Sequence, residues 1–65
     1  MDLATTENAT CTFGSKTVTF AGAPHAECQV VGNYLLIGLD LYRIADYSSN
    51  VVTLDFPFAG TTGTF

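Results

Sequence analysis

From Cys11 onward the chain alternates apolar and polar residues with a period of two. "TCTFGSKTVTF" sets Cys11 and Phe13, then Val18 and Phe20, on one face with Thr and Lys between them, the pattern of strands whose side chains point alternately to opposite faces. Gly14-Ser15 separates the two runs as a turn signal, so a hairpin or a bent strand is expected. "AGAPHAE", with Gly22 and Pro24, reads as a loop. "CQVVGNYLLIGLDLYRIADY" is denser. A helix satisfies its apolar count, but two glycines six apart among β-branched and aromatic neighbours predict two short strands joined at Gly38 to Asp40. "DYSSN" is a polar turn. "VVTLDF" puts Val52, Leu54 and Phe56 on one face and Val51, Thr53 and Asp55 on the other, and Pro57 ends the ladder because it has no N–H to donate.

The expected fold class is all-β: a small twisted β-barrel or sandwich of five to six short antiparallel strands. Residues 1–10 are polar apart from Met1, Leu3 and two alanines, and are expected to form an extended N-terminal arm ahead of a single β domain, 11–65. A chain of 65 residues makes one domain at most. Domains of about 60 residues bury only roughly 60% of their unfolded surface, so a marginal core supported by a disulfide, a metal or a partner is expected.

Composition then favours the partner. Hydrophobic residues make up 48% of the chain and charged residues 12%, about half the usual charged share of roughly 25%, so part of the surface is expected to be covered by other protein chains. Lys16 and Arg43 face six acids, and the formal net charge of −4 would repel phosphates, so no nucleic-acid binding is expected. Gly32, Asn33, Gly38, Asp40 and Arg43 interrupt the richest apolar region before the ~18 residues a membrane span needs. "MDLATTENAT" lacks the basic and apolar regions of a secretory signal. No membrane contact and synthesis in the cytoplasm are therefore expected. Cys11 and Cys28 read as reduced, half-buried thiols, with a disulfide closing a loop of about 18 residues as the alternative.

Candidate chemistry is sparse. Ser15, Ser48, Ser49, His25 and several aspartates supply the residue types of a serine triad, but none lies in a nucleophile-elbow context. Asp40, Asp46 and Asp55 are acids in or near turns without the alternating ligand ladder of a calcium loop. Cys11, Cys28 and His25 match no zinc-finger spacing. Gly60-Thr61-Thr62-Gly63 has neither the lysine nor the following helix of a phosphate loop. No enzyme, catalytic residue, metal or other cofactor is expected. Asn8-Ala9-Thr10 fits the glycosylation sequon, which without a secretion signal reads as unmodified.

Taken in order, "KTVTF" (16–20), "VGNYLLI" (31–37), "YRIADYSSN" (42–50), "VVTLDF" (51–56) and "PFAGTT" (57–62) resemble a β module that recurs in virion proteins of tailed bacteriophages and prophages. About 47 of the 65 residues fall inside the resemblance. Two departures stand out: Asn33 occupies a position where an aspartate commonly follows the glycine, and the sequence stops at Phe65 where such modules often add a strand. The resemblance implies a non-enzymatic phage structural protein located in the virion, foremost a capsid decoration or cement protein that contacts the major capsid protein or other virion proteins. A homo-oligomer, with a trimer as one form, is also expected. The alternatives are a head-tail adaptor or tail/fibre component, and, from a different class, a carbohydrate- or receptor-binding module using the aromatic rings. The interface candidates are Phe58 and Phe65, which flank the Pro-Gly corner and the terminus, Tyr47, and Thr5 and Thr6 of the arm.

Overall fold

The computed structural model describes residues 3–65. Seven strands make up 44% of the described residues: β1 Ala4–Thr5, β2 Ala9–Cys11, β3 Thr17–Phe20, β4 Tyr34–Ile37, β5 Asp40–Ser48, β6 Val51–Leu54 and β7 Gly63–Thr64. A 3-10 turn, Ala26–Gln29, sits in the connection between β3 and β4, and no α-helix occurs among the described residues. The strands form one sheet in the order β1-β4-β5-β6-β3-β2-β7, curled into a half-barrel.

The β-rich class is as expected, but the sheet is mixed and has more strands. β1 runs parallel to β4, with Ala4 beside Leu35 and Thr5 beside Leu36, while every other pairing is antiparallel. The expected N-terminal arm is woven into the sheet at both ends: Ala4 and Ala9 are fully buried. Their small side chains let the backbone lie close against the core, which the polar composition of residues 3–10 conceals.

The concave face holds the core. Reading across the strands, Ala4, Leu35 and Tyr42 stand opposite one another, as do Ile44 and Leu54; Val52, Val18 and Cys11; and Phe20 and Ala9. All are buried and join a single hydrophobic cluster that also contains Cys28, Ile37 and Phe58. Side chains directly opposite on paired strands share a face, so the period-two pattern alone brings these residues together.

Two expected core positions fall elsewhere. Phe13 lies in the turn after β2 and is exposed, and Phe56 is 71% exposed because β6 stops at Leu54 and the chain bends at Asp55. A register shift between Ile44 and Asp46 leaves Ala45 without a partner across the ladder, a bulge that increases the local twist and helps the nine-residue β5 pass from β4 to β6.

Candidate protein-docking face

The segment after β6 closes the half-barrel. Pro57 redirects the chain so that the Phe58 ring turns inward; it is 2% exposed. Its backbone is pinned to the turn before β3: Phe58 N–H donates to Ser15 O (2.8 Å) and Gly14 N–H donates to Phe58 O (2.8 Å). The ring lies 5.7 Å from Tyr42 and 5.6 Å, edge-on, from Phe65, within the range of favourable aromatic pairs. Ala59 N–H donates to Tyr42 Oη (3.0 Å). A Cβ at residue 60 would stand 2.7 Å from Phe58 Cζ, so the glycine is what leaves room for the ring. Phe58 is therefore a core plug, correcting its assignment to an interface. A rigid aromatic after proline points wherever the corner sends it, and strand alternation carries no information beyond Pro57.

The other interface candidates are spread over the molecule. Phe65 is partly exposed and leans on Phe58. Tyr47, also partly exposed, stands opposite Val52 near the end of β5. Thr5 is exposed on β1 and Thr6 is half-buried just after it. The structure does not assemble them into one patch.

A patch that the alternation does contain lies on the convex face of β1, β4 and β5. Thr5, Leu36 and Leu41 stand opposite one another across these three strands. Tyr34, two residues before Leu36, and Leu3, two before Thr5, fall on the same face and are exposed. Leu39 occupies the second position of the two-residue turn between β4 and β5, after Gly38 at φ +62°, the backbone of a hairpin turn that needs glycine first. It is 98% exposed.

The rest of the convex surface is different in kind. Ser48, Val51, Thr19, Thr10 and Thr64 form one row across five strands, and Asp46, Thr53 and Thr17 form a second. The outer surface thus has a leucine-rich side over β1, β4 and β5, with Arg43 opposite Tyr34 on the same face, and a hydroxyl-rich side over β6, β3, β2 and β7.

Charges are few and mostly engaged. Arg43 donates to Asp55 Oδ2 at 2.7 Å, and this contact raises the guanidinium pKa above its ordinary value. Asp46 Oδ1 accepts from Tyr47 N–H (2.8 Å). His25 Nε2 meets Glu7 Oε2 at 3.0 Å, and His25 Nδ1 lies 3.5 Å from Thr5 Oγ1. The order hydroxyl, imidazole, carboxylate is that of an acyl-transfer relay, but here the hydroxyl contact is long and the carboxylate is largely solvated. The arrangement ties the β1–β2 connection to the 3-10 turn. Among the described residues no group of three or more His, Cys, Asp and Glu side chains could hold a metal ion, and no pocket opens on the surface.

Cys11 and Cys28 are free and buried. Burial raises both thiol pKa values, and Cys28 Sγ donates to Thr5 O (3.3 Å). Asn33 is buried; its Nδ2 donates to Glu27 O (3.0 Å) while its backbone O accepts from Ile44 N–H (2.8 Å). A carboxylate at that position would have no hydrogen to offer the carbonyl. No helix among the described residues is long and apolar enough to cross a membrane.

Comparison with protein-family models, with curated proteins and with solved structures finds no match for this chain. None of these comparisons links the chain to phage virion proteins.

Proposed function

We propose that this chain is a non-enzymatic structural protein of a tailed-phage particle, a small capsid decoration protein that works by docking on neighbouring virion proteins. The observation that carries the reading is the two-sided convex surface. An exposed leucine at a hairpin tip, backed by Leu41, Leu36, Tyr34 and Leu3, is apolar area that solvent does not reward, and contiguous patches of this kind mark contact surfaces. The opposite, threonine-rich side suits exposure to water. A body of 26 × 21 × 18 Å with one side of each kind has a defined way up on a shell. Docking would also stabilise a marginal core through mass action, because the partner binds the folded form.

Quantitative mass spectrometry of purified particles tests the reading. The decoration role predicts about one copy per shell subunit, or per few subunits. A handful of copies per particle would move the protein to the head-tail adaptor, tail or fibre, and absence from particles would refute a virion role.

A further inference from the structure

We propose that residues 3–7 form a strap that two copies of this chain exchange, each strap pairing with β4 of the other copy while Asn8 acts as the hinge. The inference goes beyond the virion reading and does not rest on it.

What fills the β4 edge is fixed by the register, Ala4 beside Leu35 and Thr5 beside Leu36. Ala4 is the one fully buried residue of the strap; Leu3, Thr5 and Glu7 are exposed. Three further contacts hold it: Cys28 Sγ donates to Thr5 O (3.3 Å), His25 Nε2 meets Glu7 Oε2 (3.0 Å), and His25 Nδ1 lies 3.5 Å from Thr5 Oγ1. All of these run from residues 3–7 to β4 or to residues 25–28, so the strap of a second copy would make the same set. A two-residue pairing with one buried methyl group belongs to the low end of local stability, and it opens far more readily than the core strands.

The hinge follows from the topology. β1 lies at one margin of the sheet and β2 next to the other. Only Thr6, Glu7 and Asn8 separate them, a length that spans about 14 Å at most. The strap therefore crosses the open side of the half-barrel and turns sharply to do so. Asn8 makes that turn at φ +53°, in the left-handed region that residues other than glycine disfavour. Its carbonyl is fixed, accepting from Ala21 N–H (3.0 Å), and Ala9 is locked to Phe65 by a pair of backbone hydrogen bonds. Rotation about the N–Cα bond of Asn8 thus swings residues 3–7 away and leaves β2 in place. A short hinge under strain favours exchange between identical chains, because the contacts are re-made and only the hinge changes.

The test is sedimentation equilibrium of the full chain up to about 1 mM, the order of the effective concentration of a short tethered segment. It compares the natural chain with Asn8→Val and Asn8→Gly. NMR of mixed isotope-labelled and unlabelled chains then reads whether Ala4 lies against Leu35 of its own chain or of the other. Dimers with interchain Ala4–Leu35 contacts are expected. Valine tolerates the left-handed turn poorly, so Asn8→Val should tighten dimerisation about tenfold per hinge, roughly a hundredfold for two. Glycine removes the strain, so Asn8→Gly should weaken it about fivefold or more. Equal dimerisation in all three chains would overturn the proposal, as would dimers in which Ala4 meets Leu35 of its own chain. So would monomers throughout, with Asn8→Val only speeding hydrogen exchange at Ala4 and Thr5. If Asn8→Val does not fold, the natural chain against Asn8→Gly decides by the same readings. Copy number in particles decides the virion role separately, so failure of one leaves the other standing.

Discussion

Replacing Phe58 by alanine should remove most of the stability this chain has. The ring is almost fully buried and touches both Tyr42 and Phe65, and truncating such a side chain costs about 3–5 kcal/mol in transfer and cavity terms. At roughly 0.05–0.15 kcal/mol per residue, a chain of this length holds only ~3–10 kcal/mol in total. The chain has tyrosines and no tryptophan, so urea unfolding followed by tyrosine fluorescence and far-UV circular dichroism is the assay. With a urea slope near 1 kcal/mol per molar, the low end for small domains, the midpoint should fall by about 3 M or more. Gly60→Ala supplies an internal check. Its added Cβ would meet the Phe58 ring at 2.7 Å, so it should be costly in the natural chain and much cheaper once Phe58 is alanine, a coupling that a double-mutant cycle measures directly. A Phe58→Ala cost below about 1 kcal/mol, or a Gly60→Ala cost independent of residue 58, would refute the plug.

Other outcomes follow from single contacts. Asn33→Asp should cost about 1–3 kcal/mol, read as a lower urea midpoint, because a carboxylate cannot donate to Glu27 O; an unchanged midpoint would count against the assigned bond. Ser49 holds φ +52° in the β5–β6 turn, so Ser49→Gly should raise stability by about 0.5–1 kcal/mol, visible in thermal unfolding. For the thiols, burial raises the folded pKa above the ordinary 9.0. Their stabilising effect is therefore complete below that value and lost as pH rises through the folded pKa, since the unfolded chain releases its protons first. Urea midpoints taken on either side of 9.0 should show this decline, and Cys11→Ala with Cys28→Ala should flatten it. Alkylation should be slow in the folded chain and fast in urea.

What could be read from sequence was what strand periodicity encodes. The pairs Tyr42 with Ile44 and Val52 with Leu54, the β4–β5 hairpin at Gly38, and Cys11 with Val18 and Phe20 all fall where alternation puts them. The misses share a cause. β1 and β7 are two residues long, too short to show a period, so neither the parallel pairing nor the seventh strand leaves a trace in composition. Phe13 and Phe56 continue the alternation in sequence, but their strands each end two residues earlier. The inward turn of Phe58 depends on a corner whose direction is set by hydrogen bonds to Gly14 and Ser15, more than forty positions away. The convex strip did have a signal: Tyr34, Leu36, Leu39 and Leu41 interleave with the core residues Leu35, Ile37 and Tyr42. A strand apolar on both faces has the pattern of one buried on both sides, whereas the outer face here is left exposed at Tyr34, Leu39 and Leu41.

The proposed role requires that one side of the molecule docks and the other faces solvent. Electron cryomicroscopy of particles that carry this chain tests it most directly. The half-barrel should be seated with β1, β4, β5 and the Leu39 tip against a neighbouring protein, and the rows of Thr10, Thr17, Thr19 and Thr53 should face outward. Density with the threonine rows buried against the neighbour and Leu39 and Leu41 in solvent would contradict it.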